Sequence, residues 1–117
     1  MILASCIAIL LGPKIAVAYP VQGLGATSCA EFAKMYQSDP KNMELYFFTW
    51  AQGYMSGLNM GLLANKQEAK ELGAETNDQA LALRTYCADN PLKTYMDAVL
   101  NLWKTLRPFS QNTKGAK

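Results

Sequence analysis

Between Cys29 and Leu106 the apolar positions recur at steps of three and four, the spacing of helices with one buried face. Cys29, Phe32, Ala33 and Tyr36 open the series. They stand behind Ser28-Cys29-Ala30-Glu31, a serine followed three residues later by glutamate, which is the sequence form of a capping box. The first helix is expected to reach about Gln37. Ser38-Asp39-Pro40 then resets the chain, with Asp39 as N-cap and Pro40 at the first helical position. A second and longest helix is expected from Pro40 to about Ala64, on a stripe of Met43, Phe47, Trp50, Tyr54, Leu58 and Leu62.

Gly53, Gly57 and Gly61 interrupt that helix at steps of four. Together they cost it about 3 kcal/mol in propensity relative to alanine, so the ridge is expected to receive a closely packed element. Leu45 to Asn65 carries no charge at all, and small residues four apart also serve as a membrane dimerisation motif. Against a membrane span, Gln52 and Asn59 lie near the middle, Thr49 and Ser56 are polar, and the glycines dilute the apolarity. The expectation is a central helix of a bundle, with no transmembrane span after signal removal.

Lys66 to Glu75 is polar, with five charges and Gly73, and Glu68, Ala69 and Leu72 could continue a helix as far as that glycine. Thr76-Asn77-Asp78-Gln79 reads as a second capping box. It opens a third helix with Ala80, Leu83 and Cys87 inward and Arg84 outward. Asp89-Asn90-Pro91 repeats the cap-plus-proline device before Leu92, Tyr95, Met96, Val99, Leu102, Trp103 and Leu106, and Arg107-Pro108 ends this last helix. With no alternating run of β-branched residues, the expected fold is all-α: a small bundle of four to five helices.

The start of the chain breaks the period. Ile2 to Gly12 is an apolar run of eleven residues, too short to span a bilayer and of the length of a signal-peptide core. Gly12-Pro13 follows, then Ala16-Val17-Ala18, a small-x-small cleavage pattern. Residues 1–18 are therefore expected to be a cleaved signal peptide, 19–107 a single helical domain, and 108–117 a disordered tail. No basic residue precedes the apolar run, and Lys14 lies between it and the cut. Leu3-Ala4-Ser5-Cys6 also resembles a lipobox, although here the apolar stretch follows the cysteine.

Export changes the meaning of the cysteines. Cleavage leaves Cys29 and Cys87, 58 positions apart, and two cysteines in a small exported domain point to one structural disulfide. The product would have 10 basic groups, all but Lys14 of the chain's 11, against 9 acidic ones. That near balance argues against nucleic acid as a partner. The chain has no histidine, which removes Ser-His-Asp and Cys-His nucleophile pairs and His-ligated zinc together. Asp39, Glu44, Asp78, Asp89 and Asp97 form no pair placed by spacing for acid–base work. Tyr36, Tyr46, Tyr54, Tyr86, Tyr95 and the two tryptophans fall at helical spacing and read as core. No catalytic residue, cofactor or metal site is expected, and the protein is not expected to be an enzyme.

Three segments carry a resemblance: Ser28-Cys29-Ala30-Glu31-Phe32, Trp50-Ala51-Gln52-Gly53-Tyr54-Met55-Ser56-Gly57-Leu58-Asn59, and Tyr86-Cys87-Ala88-Asp89-Asn90-Pro91-Leu92 with Asp97-Ala98-Val99. Together they resemble the Rap/Tai-type family of small periplasmic immunity proteins associated with type VI secretion, and that family's uncharacterised exported relatives. More distantly they resemble HdeA-type periplasmic acid-stress chaperones, which also close one disulfide between an early helix and the end of the third. The first resemblance implies a periplasmic, non-enzymatic role, binding and blocking a cell-wall amidase delivered by a competitor. The second implies a chaperone, and an exported binding protein with another partner is the third alternative. A second copy of the chain is also a candidate partner. The contact surface is expected in the polar stretch, at Lys66, Glu68, Lys70, Glu71 and Glu75.

Overall fold

The computed structural model describes residues 20–110, so the expected signal peptide and residues 111–117 lie outside the described residues. Within them the fold is all-α, as expected. A short 3-10 turn (Gly23–Ala26) precedes α1 (Cys29–Ser38), α2 (Pro40–Ala64), α3 (Thr76–Asp89) and α4 (Tyr95–Thr105). Neighbouring helices pack in a ring, with α1 on α2 and α3, and α4 on α2 and α3. The 3-10 turn fills the corner between α2 and α4.

Local chemistry sets most of the boundaries. The Ser28 hydroxyl accepts from the Glu31 amide at 3.1 Å, and Asp39 caps α2 by accepting from the Asn42 amide, with Pro40 in the first turn. At its far end α2 closes with a Schellman motif. The Gln67 amide donates to Leu62 O at 2.8 Å and the Lys66 amide to Leu63 O at 3.0 Å, with Lys66 in the left-handed region at φ +56°. The polar stretch therefore does not continue the helix.

Two expected starts are corrected. Thr76 does not cap α3: the preceding residue is Glu75, left-handed at φ +55°, and no side chain caps the helix. Gln79 instead turns inward, 4% exposed, and its amide nitrogen donates to Leu72 O and Ala74 O, which fastens the loop to the helix. The last helix starts not at Leu92, which is 96% exposed, but at Tyr95, behind a full capping box of Thr94 and Asp97. The residues between are needed elsewhere. Lys93 O and Pro91 O accept from the Cys29 and Ala30 amides at 2.8 and 3.1 Å, and Thr27 O accepts from the Tyr95 amide at 2.9 Å. The orphan donors at the head of α1 are thus satisfied by the α3–α4 connection, which cannot be helical while it serves them.

The core lies inside the ring. Phe32, Phe47 and Tyr95 form a triangle with centroids 4.7 to 4.9 Å apart, flanked by Ala51, Met55, Leu83, Ala98 and Val99, all buried. Burying a side chain of this size contributes about 1.5–3 kcal/mol. Cys29 and Cys87, both buried, form the expected disulfide and tie the head of α1 to the end of α3. Arg84 does not simply point outward: its guanidinium pairs with Glu44 of α2 and lies 5.2 Å from the Tyr36 ring centre.

The glycine ridge is corrected too. Gly53, Gly57 and Gly61 are exposed, and a Cβ built on any of them would meet nothing within 4 Å. They turn away from Phe47, Ala51 and Met55, the buried face of α2, so no described element of the chain packs on them. The close approach falls at Gly25, where a Cβ would lie 2.0 Å from the Trp50 ring. No described helix is long and apolar enough to cross a membrane.

Candidate functional site: a clamped surface loop

Residues 65–75 cross from α2 to α3 without regular structure, and one side chain organises them. Asn59, in the second turn from the end of α2, donates from Nδ2 to Lys70 O at 2.8 Å and accepts from the Lys70 amide at 2.9 Å on Oδ1. The same Oδ1 accepts from Trp103 Nε1 of α4 at 3.2 Å. One carboxamide thus replaces both hydrogen bonds that a neighbouring strand would have given Lys70, and joins loop, α2 and α4. The Lys70 ammonium lies 5.8 Å from the Trp103 ring centre, within cation–π range.

The outer side of the loop is held by residues 107–110, just past α4. The Glu71 amide donates to Arg107 O at 2.8 Å and the Phe109 amide to Ala69 O at 2.9 Å, an antiparallel bridge between Lys70 and Pro108. Glu68 accepts from the Ser110 amide at 3.2 Å. Residues 108–110, expected within a disordered tail, are therefore part of the fold. Between the loop and α2 lies an open groove of about 500 Å³ walled by Met60, Leu63, Leu72 and Phe109.

The five charges expected to make the contact surface thus share a loop but not a role. Glu68 and Glu71 hold backbone amides, Glu71 at the Gly73 amide, and Lys70 lies over Trp103. Lys66 and Glu75 stand exposed at the two ends, each in left-handed backbone. Asn59 was legible only as a polar residue out of place in an apolar helix. No spacing rule pairs it with a carbonyl eleven residues on.

Elsewhere the charged groups are sparse. Burial pushes the Tyr95 phenol far above the usual tyrosine value, helped by the nearby Glu44 carboxylate and partly offset by Arg84. Among the described residues no three His, Cys, Asp or Glu side chains gather where they could hold a metal ion. Compared with models of known protein families, with curated proteins and with solved structures, the chain matches none.

Proposed function

We propose that the chain is an exported, periplasmic binding protein of the immunity type, which inhibits a peptidoglycan amidase by covering it rather than by acting on it. The observation that supports this reading is the clamped loop. Asn59 and the Lys70–Pro108 bridge hold residues 66–75 in one conformation, with Lys66 and Glu75 outward at its ends. A preformed loop loses little conformational entropy on docking, and that saving goes into affinity. Its two non-glycine left-handed residues mark the loop's ends, Lys66 in the Schellman close of α2 and Glu75 ahead of α3, at a cost of about 1 kcal/mol each. The segments resembling the Rap/Tai-type family supply the scaffold here: the disulfide, the Trp50 contact and the Asn59 clamp.

The test is a titration of the natively exported protein against candidate amidase effectors at pH 7. A stoichiometric, inhibited complex with affinity on the order of nanomolar is expected. Lys66→Gly sharpens it: removing left-handed strain should stabilise the domain by about 1 kcal/mol while weakening the complex. A protein that binds no effector at neutral pH, yet keeps client proteins from aggregating at pH 2 to 3, is instead an HdeA-like chaperone. One that does neither has another partner.

A further inference from the structure

Seven large apolar side chains stand at least half exposed among the described residues, and four of them, Leu45, Tyr46, Met60 and Leu63, belong to α2. At the helical pitch they share an arc of about 100° with Thr49, Gly53 and Ser56, opposite the buried Phe47, Ala51 and Met55. The face runs for about 27 Å from Leu45 to Leu63. It carries no charge, because the sequence has none between Leu45 and Asn65 and Glu44 is turned to Arg84. Its relief is regular: bulky at both ends, with threonine, serine and bare glycine backbone between them.

We propose that this face pairs with the same face of a second copy, the two α2 helices antiparallel about a two-fold axis through Gly53. That register puts Tyr46 of each copy opposite Met60 of the other, Thr49 opposite Gly57, and Gly53 against its own symmetry mate. Large meets large at both ends, while the glycines let the backbones approach at the centre. An isologous contact repeats every residue on both sides, so a charged face would set like charges against each other; this one has none. The area lies at the threshold: covering these four side chains, each more than half exposed, together with the backbone between them on both copies would bury on the order of 1,000 Å², the lower bound for a specific interface. The groove walled by Met60, Leu63, Leu72 and Phe109 borders the position that Tyr46 of the second copy would take.

The test contains no effector, so its outcome is separate from that of the binding function. Natively exported protein at about 100 μM should sediment as two copies. Met60→Lys should weaken association by roughly a hundredfold, since two ammonium groups would be buried without partners. Gly57→Leu should do the same, and both variants should keep the helical circular dichroism of the parent, because both sites are open in the single chain. Gly53→Cys should form a disulfide-linked pair on air oxidation. Leu81→Cys, also exposed but on α3, should not. A monomer at that concentration, a dimer indifferent to Met60→Lys and Gly57→Leu, or Leu81→Cys linking as readily as Gly53→Cys would each overturn the proposal.

Discussion

Gly25 and Gly61 are the same residue in opposite circumstances. Trp50 lies across Gly25, and an added methyl would have to displace either the indole or the 3-10 turn, whereas Gly61 faces open space inside a helix. Gly25→Ala should therefore destabilise the domain by about 1–3 kcal/mol through overpacking. Gly61→Ala should stabilise it by about 1 kcal/mol through helix propensity. Urea melts of the two variants check both signs. The sequence marks Gly53, Gly57 and Gly61 because they repeat. The glycine that needs to be one is unremarkable, since its constraint comes from a ring 25 positions away. Tyr95 carries the pH dependence at this scale. Its phenol, raised by burial, keeps its proton in the folded state at pH values where the unfolded chain has lost it. The unfolded state then binds fewer protons, so stability falls as pH rises above about 10, by about 1.4 kcal/mol per unit from this group alone. Tyr95→Phe should lack that component, so its deficit relative to the parent should shrink between pH 8 and pH 11.

At the level of elements, the helix interiors were legible and several ends were not. The apolar periods locate α1 and α2 to within a residue, because both open on side-chain caps written in adjacent positions. The other two starts were misread: Thr94 and Asp97 spell a capping box that Asp89-Asn90-Pro91 outweighs on paper, and no spacing rule pairs Gln79 with the loop carbonyls behind it. α3 begins where Gln79 binds two loop carbonyls, and α4 begins late because Pro91 and Lys93 serve the head of α1. The candidate site was half legible: charge density located the loop, but not the residue that holds it. Asn59→Ala should leave the helices intact and free the loop. The partly buried amide and carbonyl of Lys70 and the Trp103 indole would lose their partner, a loss of about 2–3 kcal/mol. Amide exchange should accelerate at Lys70, Glu71 and Phe109 before it does in α1.

The whole molecule is closed by Cys29–Cys87, whose loop spans most of the described chain. Protein purified without reductant should titrate no free thiol at these positions. Reduction should lower its stability by about 4 kcal/mol on the loop-entropy account, a large share for one small domain. The bridge does not act alone. Beside it the Cys29 and Ala30 amides end on Lys93 and Pro91, and the Tyr95 amide ends on Thr27, so the first helix is finished by residues more than sixty positions later. An amino-terminal fragment that stops before Pro91 lacks these acceptors, and in it the head of α1 should fray. A ribosome that has released α1, α2 and even α3 has released a chain whose opening helix still lacks the acceptors of its Cys29 and Ala30 amides. The native head of α1 is therefore completed only after Tyr95 emerges, and losing the α3–α4 connection should loosen that end of the helix first.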